Sequence, residues 1–211
     1  MESKLIHFNN VGFLEQKLPK EALNRLRTYI KDKRQKNNHS LAGNIKSSYE
    51  LVDKDNWFFE KILSFSIRDF EKYCLKDALV PSVLTKSCVY ELGRFWVNFQ
   101  KKYEFNPVHD HSGIYSFVIW LDIPADYKKE KKLSFSSHSN SPYPNTFQFL
   151  YTNSLGRIAT HQYHLSPKDE GTMLLFSSKT QHTVYPFYTS NKTRVSISGN
   201  VYLNPEKIYE L

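Results

Sequence analysis

Hydrophobic residues change their spacing partway along this chain. Up to about residue 80 they recur every three or four positions: Leu23, Leu26 and Ile30 share one helical face after Leu18-Pro19, and Phe58, Ile62, Phe65 and Phe70 share another. Pro19 suits a first helical turn, and Asp55 is placed to cap a second helix running to about Leu75. Leu5-Ile6-His7-Phe8 and Val11-Gly12-Phe13-Leu14 predict a short opening strand, Asn37-Asn38-His39 ends the first helix, and 40–53 is polar and mixed. From Ser87 the pattern becomes that of strands: 89–99, 146–151, 156–164, 172–176 and 194–203 are rich in β-formers, and 114–123 is a nearly continuous apolar run. Several short strands at this spacing predict a mainly β sandwich or barrel with the N-terminal helices packed outside it. Residues 1–211 are expected to form a single domain, with 1–80 as mainly helical support and 87–203 as its β core.

Composition narrows this little further. Phe and Tyr supply 29 of the 32 aromatic side chains, which suits packed β-structure better than a helical bundle. A net charge of +8 favours acidic partners, yet the only dense basic runs are 31–36 and 128–132. Neither run has interleaved aromatics, so a solvated helix end and a charged loop are preferred, with nucleic acid kept as the minority option. Cys74 and Cys88 read as reduced core residues, and neither a secretory signal nor a run of roughly 20 apolar residues is found. The expectation is therefore no membrane span and a cytoplasmic location, in the host cytoplasm if the chain is phage-encoded. The polar stretch 125–145 interrupts the strand pattern, either as a lid or substrate-binding element or as plain surface variation.

The candidate chemistry lies in His109-Asp110-His111, His182 and Arg194-Val195-Ser196. On a strand, residues i and i+2 share a face, so His109 and His111 can aim two imidazoles at one point while Asp110 faces away. A third imidazole from a separate, antiparallel strand would close a facial triad with open positions, suited to iron and similar metals. Asp110 replaces His111 as ligand if a bulge turns it inward. His7, His39, His138, His161 and His164 read as ordinary structural histidines. On the last strand Arg194, Ser196, Ser198 and Asn200 share one face, and Val195, Ile197, Gly199 and Val201 the other. A guanidinium beside a hydroxyl on an inward face matches a carboxylate.

Together these residues resemble the iron(II)- and 2-oxoglutarate-dependent oxygenases, whose fold is a double-stranded β-helix, or jelly roll. Trp96-Val97-Asn98, Phe105 through Tyr115, Gly171 through Phe176 and Arg194 through Asn200 are similar to an oxygenase subfamily of bacteria and tailed phages. The resemblance covers roughly 87–203 and implies Fe(II) held by His109, His111 and His182, with 2-oxoglutarate and dioxygen as co-substrates. It also implies that Arg194 and Ser196 hold the far carboxylate of 2-oxoglutarate, with Asn98 and Tyr115 as further candidate contacts. The implied reaction hydroxylates an unidentified substrate and releases succinate and CO2. The chain departs from the wider superfamily, which has an acid where His111 stands; three neutral imidazoles leave a dication's charge for a bound dianion to balance. Two alternatives stay open: a three-histidine cupin-like metalloenzyme without 2-oxoglutarate, and a non-catalytic jelly-roll binding module.

Overall fold

The computed structural model describes residues 12–32, 36, 42–74 and 88–208. The expected opening around Leu5–Phe8, and Asn37–His39, His7 and Leu75, lie outside them, but the first helix does not run on to Asn37: it ends at Lys31 with Asp32 as its C-cap, and Lys36 already bridges Tyr49. A short strand β1 (Leu14–Lys17) leads into helix α1 (Lys20–Lys31), and β2 (Ser48–Glu50) precedes α2 (Ser64–Cys74). A 3₁₀ turn (Lys54–Asn56) and a π-helical turn (Phe59–Leu63) carry the chain into α2. The cap here is Asp53, not the expected Asp55: its two carboxylate oxygens accept from the Phe58 and Phe59 amides, both at 2.8 Å. Asp55 sits inside the turn with φ 58°, and its carboxylate lies 3.6 Å from Arg25 Nη2.

The β part comprises β3 (Cys88–Gln100), β4 (Asn106–His109), β5 (Tyr115–Asp122), β6 (Thr146–Thr152), β7 (Ile158–His164), β8 (Thr172–Ser177), β9 (Gln181–Val184) and β10 (Arg194–Ile208). Between β5 and β6 lies one helical turn, α3 (Tyr127–Glu130). Two antiparallel sheets face each other, a six-stranded one in the order β1-β8-β5-β10-β3-β2 and a four-stranded one in the order β4-β9-β6-β7. This is the mainly β jelly roll expected, with helices on the outer face of the larger sheet. The short strands β2, β4 and β9 fall below what sequence periodicity resolves.

The apolar run of β5 has a simple cause, since both of its faces are buried. Phe117, Ile119 and Leu121 join Leu26, Phe58 and Ile67 in a core between sheet and helices. Val118 and Trp120 join Phe147, Phe149 and Phe176 between the two sheets. β10 divides as alternation requires, with Val195, Ile197 and Val201 in the helix-side core and Arg194, Ser196, Ser198 and Asn200 lining the space between the sheets. At the turn into β5, Gly113 has φ 96°, and a Cβ there would stand 2.6 Å from the Val201 carbonyl. Only glycine makes that turn.

Candidate metal centre

β4 and β9 are neighbours in the smaller sheet, and their register sets His109 directly opposite His182. His111 lies beyond the end of β4, so strand alternation alone does not place it. Its amide donates to the Ser178 carbonyl at 2.9 Å, and Lys179 Nζ donates to the His111 carbonyl at 2.9 Å, tying this segment to the β8–β9 turn. The three rings converge, with centroids 4.3 Å apart for His109 and His182 and 5.0 Å for each of the other pairs. One nitrogen from each ring lies within 4.8 Å of the others, and these are the histidines the sequence singles out.

The chemistry of this donor set fits a metal ion. His109 Nδ1 lies 2.7 Å from the Pro107 carbonyl and His182 Nδ1 3.0 Å from the Thr180 carbonyl. A carbonyl can only accept, so Nδ1 carries the proton in both rings and Nε2 keeps its lone pair for a ligand. Burial, with repulsion from the neighbouring rings, pushes His182 down to about 3 and His111 down to about 4, and burial lowers His109 against the opposing pull of the Pro107 carbonyl and Asp110. All three are therefore neutral at pH 7, the form that coordinates. Asp110 is outside the cluster: its side chain is half-exposed, with Oδ1 3.9 Å from Lys179 Nζ. His138 is exposed, His161 packs on Phe13, and His164 stacks on Tyr127, away from the cluster.

From the histidines a cavity of about 190 Å³ runs between the sheets to Arg194. Its floor is laid by register: Ser198 opposes Trp96, Ser196 opposes Asn98, and Arg194 opposes Gln100. Arg194 is 1% exposed yet has no carboxylate within ion-pair distance among the described residues. Neutral oxygens surround it. Nε and Nη2 donate to Gln100 Oε1 at 3.0 and 2.7 Å, Nη1 to Asn145 Oδ1 at 2.9 Å, and Nη2 to the Tyr185 carbonyl at 3.0 Å. Its guanidinium lies 5.3 Å from the Phe187 ring centre. Burial pushes its pKa down to about 9, partly opposed by the charge of Glu130, so it remains a cation at neutral pH. Four of its five N–H groups are occupied and one is left for an anion.

A second polar demand in the cavity is unmet. Asn106 Oδ1 is buried without a hydrogen-bond partner, and its carboxamide can turn to present either oxygen or NH2. Gly43 makes room for it, since a Cβ there would come within 1.8 Å of that oxygen. A buried cation without an ion-pair partner among the described residues and an orphaned amide in one cavity with three imidazoles suit a ligand that is both anionic and polar.

Of the other expected contacts, Ser196 and Asn98 line the cavity, and Asn98 Oδ1 accepts from Ser48 Oγ at 2.6 Å. Tyr115 does not. Alternation on β5 turns it to the helix side, where its hydroxyl donates to Glu71 at 2.8 Å and its ring meets Phe70 edge-on. It is not placed to touch a co-substrate. Gln100, Asn106 and Asn145 are cavity or Arg194 contacts that sequence reading misses. Gln100 shares the inward alternation of Trp96 and Asn98 and was open to discovery, whereas nothing local marks Asn145 at the far end of a polar insertion. That insertion includes α3 and braces Arg194 through Asn145.

A family model described as "Putative 2OG-Fe(II) oxygenase" matches residues 94–200. No curated protein sequence matches the chain. Among solved structures, the chain is similar to HygX from Streptomyces hygroscopicus, solved with nickel, 2-oxoglutarate and hygromycin B (10% identity, TM-score 0.54, covering 91% of this chain and 83% of that one). It is also similar to a 2OG-Fe(II) oxygenase family oxidoreductase from Burkholderia pseudomallei (15% identity, TM-score 0.51, 90% and 84% covered). A third is a prolyl hydroxylase from Trichoplax adhaerens, solved with a hypoxia inducible factor peptide (12% identity, TM-score 0.51, 92% and 84% covered). At these identities the likeness is one of fold.

Proposed function

The chain belongs to the 2OG-Fe(II) oxygenase family, oxidoreductases that use Fe(II) and 2-oxoglutarate, and on that premise we propose that His109, His111 and His182 hold the iron while Arg194 and Ser196 receive the far carboxylate of 2-oxoglutarate. The proposed reaction is hydroxylation of an as yet unidentified substrate with release of succinate and CO2. Bound iron and 2-oxoglutarate together supply the activation of dioxygen and the oxidising power.

The chain's own residues bind, orient and exclude water. The carbonyls of Pro107 and Thr180 hold two imidazoles in the tautomer that offers Nε2 to the metal. Trp120, Phe147 and Phe176 form an apolar wall that restricts water beside His182. Arg194 keeps a positive charge at the opposite end, held by Gln100, Asn145 and Tyr185 without being neutralised. The observation that carries this reading is that buried cation, facing a cavity whose other end holds three neutral imidazoles and no acid from the cluster. A dianion would bring one carboxylate to the guanidinium and the other to a metal dication, offsetting two of their three positive charges. We further propose that the chain forms a single domain, because α1 and α2 bury their apolar faces on the larger sheet.

A three-imidazole metalloenzyme working without 2-oxoglutarate keeps the same ligands but gives Arg194 no role; family membership sets the non-catalytic module aside. Anaerobic titration with Fe(II) and then 2-oxoglutarate tests the proposal. The expected sequence is iron binding, followed by a visible charge-transfer band on adding 2-oxoglutarate. Iron binding with no response to 2-oxoglutarate would replace it with the second reading.

A further inference from the structure

The basic run at 128–132 carries no aromatic residues in sequence, but the fold brings them to it. Lys128, Lys129, Lys131 and Lys132 are all exposed on α3 and the turn after it. Phe135, three residues on and 63% exposed, meets the Tyr188 ring edge-on at 4.7 Å. Tyr188 in turn meets Tyr103, 60% exposed, at 5.4 Å, and Lys102 Nζ lies 5.3 Å from the Tyr103 ring. Three segments distant in the chain thus meet in one row of rings flanked by Lys102, and Glu130, within the lysine run, is bonded to the Tyr188 amide, with Lys131 Nζ 5.8 Å from the Tyr127 ring.

A groove of about 260 Å³ opens beside these rings. Phe135, Tyr188 and the stacked pair of Tyr143 and Tyr185, 4.9 Å apart, wall it, and Ser139 and Ser141 offer hydroxyls. Among the described residues, the acids of these segments form no ion pair with the lysines. Glu130 is fully buried and spends its carboxylate on the Tyr188 and Thr189 amides and the Thr189 hydroxyl. Glu104 is buried against the Lys46 and Lys101 amides, and Asp126 caps α3 through the Lys128 amide. Glu130 also fixes the geometry, since it ties the Tyr188 backbone to the helical turn that carries the lysines.

We propose that this face binds single-stranded nucleic acid. Phosphates would run along the lysines while unstacked bases lie on Phe135, Tyr188 and Tyr103, with the groove taking one base edge-on to the serine hydroxyls. Lysines alone would suit any polyanion; exposed rings among them suit a polyanion that carries flat apolar groups, which single strands present and duplexes hide. The inference goes beyond the oxygenase reading and does not depend on it.

The test is fluorescence anisotropy of the full-length protein with labelled 12-residue oligo-uridylate and oligo-thymidylate, beside the matching duplexes and polyglutamate. Either single strand should bind more tightly than duplex or polyglutamate, and the RNA and DNA arms show which source is preferred. The exposed-ring double variant F135A/Y103A should weaken binding by about tenfold or more. K131Q/K132Q should reduce the slope of log affinity against log salt by about 1.4, two phosphate contacts on a single strand. No binding at low salt, equal binding of duplex or polyglutamate, or indifference to F135A/Y103A would each overturn the proposal. Anisotropy needs no turnover, so a protein that binds these strands but never consumes 2-oxoglutarate would sink only the oxygenase reading.

Discussion

Arg194→Ala removes the buried guanidinium without touching any histidine. In the native protein that group makes four hydrogen bonds, to Gln100 twice, to Asn145 and to the Tyr185 carbonyl, and keeps one N–H in reserve. A carboxylate arriving there gains at least one charge-assisted bond, worth about 1.5–3 kcal/mol, together with attraction in a site shielded from water. The expected loss of 2-oxoglutarate affinity is therefore about 2–4 kcal/mol, or roughly 30- to 1000-fold. Fe(II) affinity in the absence of 2-oxoglutarate should stay within about threefold, because the imidazole nitrogens and their Pro107 and Thr180 partners are unchanged.

The same substitution strips donors from three buried acceptors. Water entering the vacated space can satisfy them, so the stability cost should be about 2–4 kcal/mol, and a folded variant remains to be measured. Calorimetric titration of the iron-loaded, anaerobic protein with 2-oxoglutarate gives the affinity, and a melting curve checks the fold. Arg194→Lys should fall between wild type and Arg194→Ala, since one ammonium cannot span three acceptors and an anion. A folded Arg194→Ala protein that binds 2-oxoglutarate as tightly as wild type would mean that the guanidinium does not receive its carboxylate.

Replacing Gln100 with Glu sets a carboxylate against Arg194 Nε and Nη2, an internal rival for the incoming anion; 2-oxoglutarate should weaken by about tenfold or more, read by the same titration. His111→Ala should cost at least about 100-fold in iron affinity while Asp110→Asn leaves it nearly unchanged, and the reverse order by competition with a chromophoric chelator would exchange the two ligands. Metal-free protein should lose stability on acidification: His182 is held down to about 3 and His111 to about 4, so below the ordinary histidine value near 6.5 the unfolded chain binds protons that the native one refuses. The contribution is intact above pH 6.5 and falls by about 1.4 kcal/mol per pH unit for each of these two imidazoles, so urea midpoints that hold steady from pH 7 to 5 would contradict the burial seen here. Residues 1–80 alone should show no cooperative melting by circular dichroism, because the apolar faces of α1 and α2 are buried on strands that fragment lacks.

How much of this was legible beforehand depends on whether the signal was periodic or topological. Alternation sorted β10 into a polar cavity face and an apolar helix face residue by residue, and the long apolar run marked β5 as a strand buried on both sides. The three histidines were also legible, although the reasoning fits only two of them: His109 and His182 face each other in register, while His111 is positioned by the Ser178 carbonyl beyond the strand's end. Tyr115 shows the opposite failure. Its closeness in sequence to the histidine motif suggested a site contact, but the Gly113 turn restarts the alternation with Tyr115 facing Glu71. Sequence proximity carries no face information across a turn. Asp53, in place of Asp55, shows that a cap is fixed by where the first free amides point.

The surroundings of Arg194 were the least legible part of the site and the most informative about its function. A buried guanidinium needs partners, and a carboxylate would have been the cheapest way to stabilise it. The fold supplies amide and carbonyl oxygens instead, from β3, from the connection leading to β10, and from Asn145 at the end of the insertion. Asn145 is itself fixed, with φ 56° and its Nδ2 donating to the Ala125 and Leu165 carbonyls. Fifteen residues earlier Glu130 sits close enough to raise the guanidinium's pKa while its own oxygens are committed to Tyr188 and Thr189. Neutral acceptors hold the cation in place without cancelling it, and a committed acid nearby offsets part of the burial cost without forming a pair. That arrangement is poor economy for a structural arginine but suits one kept available for an incoming anion. The insertion at 125–145 supplies both Asn145 and Glu130 to the surroundings of Arg194, and their spacing in the chain hid the coupling.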